Sequence, residues 1–190
     1  EDCCEAHGSS INDKKVGSYG LANAFSFFVA HNMTSGEGGM VLTNDEKLEN
    51  LMRSMREFGR LTNYESDKKR FSYSDTHLSE YDERYVFKYI GYNIRMTDIA
   101  ASLGIEQLKK LDDFNSVRID NANKITKALS KFEELILPSV PKNYFHSFYG
   151  YTILIKDLSK ISRIDLVNHL EKDGIETRAF MGGDLTKQPA

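Results

Sequence analysis

The chain has 190 residues, 40% of them hydrophobic and 28% charged, with a formal net charge of −3. That is room for one good-sized domain, or one and part of another, in an ordinary globular composition; lysines and arginines scattered among acids exclude a basic nucleic-acid-binding stripe. No run reaches the about 18 to 20 apolar residues that cross a bilayer, and no charged-then-apolar leader opens the chain, so the expectation is a cytoplasmic protein that contacts no membrane.

Asp2 and Glu5, two carboxylates three apart, read on spacing alone as a solvated turn. Cys3 and Cys4 are adjacent, which suits neither a disulfide nor a four-ligand zinc site, and they read as small buried residues at a strand end. His7 reads as structural, and Asn12–Lys15 with Gly17 and Gly20 as an exposed turn carrying the surface charges Lys14 and Lys15. Alternation over Ala24–Val29 predicts a strand with Phe25, Phe27 and Val29 on one side and Ser26 on the other. A polar turn follows from His31 to Gly39, in which Gly36, Gly38 and Gly39 let the backbone approach a ligand. The imidazole of His31 suits general-base chemistry near neutral pH, although local chemistry alone favours a plain loop hydrogen bond. The glycines match neither the dinucleotide fingerprint nor the P-loop.

Thr43–Glu46 fits a capping box ahead of a helix with Leu48, Leu51, Met52 and Met55 inward. Residues 59–92 form a long polar connection rich in aromatics, with Tyr64, Tyr73, Tyr81, Tyr85, Tyr89 and Tyr92, and read as a substrate or subunit-contact segment. Asn93 and Arg95 in GYNIRM read, without context, as a turn. Thr97 caps a helix to about Leu111, with Ile99, Leu103, Leu108 and Leu111 apolar, and a second helix runs from about Asp112 to Phe132 with Ala122, Ile125, Leu129 and Phe132. After a linker marked by Pro138 and Pro141, the pattern gives a strand over Phe148–Ile155, a helix over Ser162–Glu171 with Ile164, Val167 and Leu170 inward and Gly174 at its end, and a returning strand over Ile175–Phe180.

EDCCEAHGSS, GSYG, SFFVAHNMTSGEGGMVLTND, GYNIRMTDIAASLGIEQLKKLD and TRAFMGGDLTKQPA, in that order, resemble the DegT/DnrJ sugar aminotransferase family. The resemblance implies an α/β, aspartate aminotransferase-like fold, pyridoxal-phosphate fold type I. Residues 1–115 would belong to the cofactor-binding large domain, and 116–190 to a linking helix and part of the small C-terminal domain. The chain, starting at Glu1 and stopping inside a family motif, then reads as a fragment. By the same resemblance Asp2 pairs with the protonated pyridine nitrogen, Glu5 orients the ring and Ser26 bonds the cofactor phosphate. Asn93 reaches the phosphate of the other subunit of a homodimer. Arg95 and Arg178 face a substrate anion, a surface salt bridge being the alternative for Arg178.

Where the transaminases place the lysine that tethers the cofactor, five residues after the serine, this chain has His31. Histidine cannot take over that tether, and the exchange resembles the family's 4-keto-6-deoxysugar 3-dehydratase branch, in which the pyridoxamine phosphate form is untethered. GGDLTKQPA and KRF followed by YDERYVFKYIGYN are most similar to its CDP-4-keto-6-deoxyglucose-3-dehydrase group. The function implied is removal of the 3-hydroxyl of a nucleotide-linked 4-keto-6-deoxyhexose in deoxysugar biosynthesis of the O-antigen type, with His31 as the base and Asp2 keeping the ring cationic. A nucleotide-sugar 4-aminotransferase, or a cofactor-binding scaffold or inactive fragment without turnover, are the alternatives. That group holds a 2Fe-2S centre with cysteines where this chain reads LTNYESDKKRF, with none. The expectation is therefore no metal site, which sets the reductase partner in doubt and leaves open whether the product is released by hydrolysis or reduced.

Overall fold

The computed structural model describes residues 1–60, 85–180, 182 and 184–189. Its N-terminal part is made of short antiparallel pairs. Strand β1 (Ser10–Ile11) pairs with β2 (Lys14–Lys15) across a two-residue tip. Asn12 and Asp13 at that tip have φ of 49° and 62°, the doubly left-handed turn whose twist matches a tight hairpin. The second half of the expected turn is thus a strand.

Strand β3 (Asn23–Ser26) pairs antiparallel with β4 (Gly39–Leu42), and Ser26 stands opposite Gly39. The expected strand to Val29 is corrected here: it stops at Ser26. The Phe27 carbonyl is taken by the Ser35 amide at 3.0 Å and by Thr34 Oγ1 at 3.1 Å, so the chain turns and Val29 is left 62% exposed. Gly38, at φ 150°, closes the turn; a Cβ there would lie 2.9 Å from Met96 Sδ. Phe27, Met33 and Leu111, with Phe25 and Met96 packed against them, form the hydrophobic centre beneath this turn.

Helix α1 (Glu46–Arg56) is capped by Asp45, whose Oδ1 accepts from the Leu48 amide at 2.9 Å. The cap is not Thr43: its hydroxyl donates to the Leu21 carbonyl at 2.6 Å and accepts from the Asp45 amide at 3.0 Å. Ser54 is the buried residue of α1, while the expected inward positions are half-buried and Leu51 is exposed. Beyond α1 the chain is stapled to residues 85–94. Phe58 N–H donates to the Tyr92 carbonyl at 2.8 Å, and the Lys88 and Tyr89 amides donate to the Gly59 carbonyl at 2.8 and 3.2 Å. Isolated bridges join Glu57 to Asn93 and Arg60 to Phe87. Gly59, at φ 77°, is in such close approach that a Cβ would overlap the Tyr89 carbonyl oxygen. Tyr64, Tyr73, Tyr81 and the LTNYESDKKRF segment lie outside the described residues; Tyr85, Tyr89 and Tyr92 are exposed.

Thr97 caps helix α2 (Asp98–Leu108), accepting from the Ala100 amide at 3.2 Å. The helix ends before Leu111, which opens α3 (Leu111–Leu129). Leu111 and Ala122 are buried, but Ile99 is 80% exposed, and Leu103, Leu108, Ile125 and Phe132 are exposed too. Apolar residues lie all round α2, a pattern that needs cover on more than one side, and the described elements cover only the side where buried Gly104 faces Ser35.

Strand β5 (Leu135–Ile136) precedes β6 (Tyr144–Phe145), which pairs with the free edge of β1. Strand β7 (Leu154–Ile155) pairs antiparallel with β5. The expected strand from Phe148 is thus shorter: Phe148, at φ 47°, is not extended, and the two-residue β5 pairs only with Leu154 and Ile155. Ser162 caps helix α4 (Arg163–Lys172), and Gly174, at φ 82°, ends it. Val167 and Leu170 are half-buried but Ile164 is exposed. No strand forms over residues 175–180: the strand expected there has no pairing partner among the described elements. A short 3-10 turn spans Leu185–Lys187. No helix among the described residues is long and apolar enough to cross a membrane.

Candidate active site

One backbone bridge, made of two hydrogen bonds, brings the N-terminus to the turn after β3. Asp2 forms a parallel bridge with Ala24, and the Cys3 amide donates to the Ala24 carbonyl at 2.8 Å while the Ala24 amide donates to the Glu1 carbonyl at 2.9 Å. Asp2 therefore lies beside the strand that ends in Ser26, and Glu5 follows on the turn next to it. The Asp2 carboxylate accepts from the Cys4 amide at 3.1 Å; the Cys4 side chain, first, and that amide hold its pKa below the usual carboxylate range, helped by His31. The same carboxylate, together with burial, pushes the Cys4 thiol up to about 11. Asp2 is thus an ionised acceptor and Cys4 a neutral thiol.

His31 lies on the turn with its side chain 14% exposed and Nε2 3.7 Å from Glu5 Oε1. Nδ1 is buried without a hydrogen-bond partner, so Nε2, on the Glu5 side, is the nitrogen able to exchange a proton. Two aromatic rings stand edge-on to the imidazole: Phe28, with centroids 5.6 Å apart and planes at 75°, and Tyr149, at 5.3 Å and 88°. The Tyr149 hydroxyl accepts from Arg178 Nη1 at 3.3 Å.

Ser26 Oγ accepts from the Phe28 amide at 3.2 Å, which leaves its own O–H to donate to a ligand. Neither nearby lysine reaches this group. Lys15 Nζ donates to the Gly8 carbonyl at 2.8 Å, and Lys14 Nζ lies over the Tyr19 ring at 4.2 Å.

Beneath the turn sits a buried polar cluster. Asn32, 1% exposed, donates through Nδ2 to Ser147 Oγ at 3.2 Å and to Asn115 Oδ1 at 3.4 Å. Ser9 Oγ donates to Ser147 Oγ at 2.9 Å and accepts from the Ser147 amide at 3.0 Å. Asn115 Nδ2 donates to the His7 carbonyl at 2.9 Å. His7 itself packs between the rings of Phe25 and Phe27, and burial, with the His31 charge, pushes its pKa down.

Asp2, Glu5, Ser26 and His31 are thus gathered at the end of β3, and Arg178 is linked to them through Tyr149. Asn93 and Arg95 are elsewhere: Asn93 bridges Glu57, and the Arg95 guanidinium lies 5.3 Å from the centroid of Phe58. Sequence reading missed Tyr149, Phe28 and the Asn32–Ser147 pair. No periodicity marks Tyr149 or the Asn32–Ser147 pair, which meet their partners only across more than a hundred residues of chain, and Phe28, three residues before His31, reads as an ordinary strand aromatic until the chain turns at Phe27. Among the described residues no group of His, Cys, Asp and Glu side chains is placed to hold a metal ion.

The chain belongs to the DegT/DnrJ/EryC1/StrS aminotransferase family, whose model matches residues 1–190. It is 37% identical to a dTDP-4-dehydro-2,6-dideoxy-D-glucose 3-dehydratase of Saccharopolyspora spinosa, over 100% of this chain and 42% of the relative. It is 34% identical to a GDP-perosamine synthase of Escherichia coli O157:H7, over 94% of this chain and 43% of the relative. Among solved structures it resembles the E. coli GDP-4-keto-6-deoxy-D-mannose-3-dehydratase with bound hydrated PLP, with a TM-score of 0.85 and 33% identity over 99% of this chain and 47% of that one. The fold is the α/β, aminotransferase-type fold of these proteins, and the chain spans less than half the length of the relatives it matches.

Proposed function

We propose that this chain carries the catalytic end of a pyridoxal/pyridoxamine-phosphate-dependent nucleotide-sugar 3-dehydratase, a lyase acting on a nucleotide-linked 4-keto-6-deoxyhexose in deoxysugar biosynthesis. The observation that carries it is His31, with neither Lys14 nor Lys15 reaching it among the described residues, gathered with Asp2, Glu5 and Ser26 at one strand end. The residues fit the cofactor: Ser26 has a free donor for the phosphate, and Asp2 is held ionised, as a partner for a protonated pyridine nitrogen must be. When bound, pyridoxamine phosphate supplies an amine that condenses with the sugar's 4-keto group and a ring that accepts electrons. His31 Nε2 takes the proton at the carbon beside that amine, Glu5 steadies the imidazolium, and Asp2 keeps the ring nitrogen positive. Phe28 and Tyr149 wall the imidazole, Arg178, tied to Tyr149, binds substrate oxygens, and the 3-hydroxyl leaves.

The domain reading that goes with this is a large-domain portion over residues 1–115 and a linking helix with part of a small domain over 116–190, so that the boundary falls within α3. A homodimer is part of the proposal. Exposed Asn93, remote from His31, and the uncovered apolar side chains of α2 support it. Without cysteines in LTNYESDKKRF the proposal includes no 2Fe-2S centre. Hydrolytic release and reduction by a partner are separated by product analysis with and without a reductase.

The test uses the complete protein with PLP, glutamate and nucleotide-linked 4-ketosugars. The expected result is loss of water from the sugar, with no cofactor fixed to lysine after borohydride reduction. Amine transfer with a stoichiometric lysine adduct would instead support the 4-aminotransferase reading, which similarity to a perosamine synthase favours. Neither reaction would leave a cofactor-binding scaffold.

A further inference from the structure

The edge-on contact between Tyr149 and His31 is fixed from both sides. Asn32, the residue after His31, donates to Ser147 Oγ at 3.2 Å. Ser147, two residues before Tyr149, is 1% exposed and is held again by Ser9 through its hydroxyl and its amide. The backbones that carry the two rings are therefore locked to each other by buried hydrogen bonds, which are costly to break. Between Ser147 and Tyr149 stands Phe148, with a φ of 47° and its amide donating to His146 Nδ1 at 2.9 Å. A bulky residue in the left-handed region is a costly conformation that the surroundings must impose, and here it turns the next side chain onto His31. At the far end of Tyr149 the hydroxyl is tied to Arg178 at 3.3 Å.

We infer that Tyr149 is a positioning residue for His31: its ring edge, with Phe28 on another side, fixes the plane of the imidazole so that Nε2 points to the reacting carbon. The inference rests on reading His31 as the proton-transferring base. Of the two ring nitrogens only Nε2 is usable, since Nδ1 is sealed and unpartnered. A ring turned about its bond to Cβ would withdraw Nε2 from Glu5 and from the substrate together. Tyr149 supplies no proton in this arrangement; its hydroxyl carries the Arg178 contact, and the ring carries the effect.

The test measures dehydration by the complete, cofactor-loaded protein, with kcat expressed per bound cofactor. Tyr149→Ala and Tyr149→Leu should each lower kcat by about tenfold, the order of one aromatic edge contact, with KM within about threefold. Tyr149→Phe, which keeps the ring, should restore most of the lost kcat. Leucine leaves a smaller cavity than alanine while still removing the ring, so the result stands even if the alanine variant does not fold. A tyrosine that served folding alone would lower the amount of loaded enzyme and leave kcat per cofactor unchanged, and that outcome overturns the inference. So would a phenylalanine variant as impaired as leucine. A His31→Asn control distinguishes the two levels: if it still dehydrates at the wild-type rate, the reading of His31 fails first. If it is inactive while Tyr149→Leu matches wild type, only the positioning inference fails.

Discussion

Substituting Ser9 by alanine tests whether the buried polar cluster is what holds the turn that carries His31 in place. Ser9 Oγ makes two contacts with one residue, donating to Ser147 Oγ at 2.9 Å and accepting from the Ser147 amide at 3.0 Å. Removing the hydroxyl loses both bonds, at about 1 kcal/mol each, and leaves a buried N–H without an acceptor, for a total of about 2–4 kcal/mol. In a chain of this size that lowers Tm by about 5–15 °C. Ser159→Ala is the matched control: its hydroxyl also donates to a side chain, Asp157 Oδ1 at 2.6 Å, but on the surface, and it should cost about 0.5 kcal/mol or less. Urea unfolding followed by circular dichroism measures both. In a double-mutant cycle Ser9→Ala and Ser147→Ala should cost less together than the sum of the two, by about 1 kcal/mol, because they share the one bond between their hydroxyls. A Ser9→Ala protein as stable as Ser159→Ala, or strictly additive effects, would show that the cluster holds nothing.

Asp45→Ala removes the cap of α1 and should cost about 1 kcal/mol, whereas Thr43→Ala leaves that cap bond in place; hydrogen exchange at the Leu48 amide reads the difference directly. Asp13→Gly relieves a left-handed residue, at φ 62°, in the β1–β2 tip and should stabilise by about 0.5–1 kcal/mol in the same urea assay. Gly59→Ala drives a methyl group into the Tyr89 carbonyl and should cost about 3 kcal/mol or more, visible as insoluble or melted protein. For pH, burial lowers the folded-state pKa of His7, so the unfolded chain takes up the proton first as pH falls through about 6.5. The stability involved is complete above that pH and is lost as pH drops toward the folded value. His7→Leu should flatten the slope of urea midpoint against pH below about 6.5 without abolishing it, because burial lowers His146 as well.

The parts of this fold legible in the sequence were those decided within a few residues. Thr97 and Ser162 announce their helices because a hydroxyl ahead of an apolar period has one obvious task, and both perform it. Thr43 misled because two capping-type residues compete there; the threonine hydroxyl was engaged by Leu21, far back in the chain. Alternation carried the strand three residues too far for a similar reason: what ends it is the Phe27 carbonyl meeting Ser35 and Thr34, a loop contact that no periodicity shows. The helix face of α2 was legible as apolar, but not that the described elements would leave it open. At the candidate site, single residues could be named by motif, and the structure adds what a motif omits, the neighbour from across the chain, Tyr149, that touches His31.

The clasp around Gly59 has a consequence for how such a protein diversifies. Residues 58–60 and 87–93 are cross-bonded at several points, so whatever length of chain lies between them starts and ends at a fixed doorway. The entropy of closing an insert at such a doorway grows only logarithmically, by about 0.6 kcal/mol for each doubling of its length. The interval can therefore be lengthened, shortened or exchanged between relatives while the strand end that carries His31 keeps its geometry. Where the two ends of that interval stand is set by the clasp around one glycine.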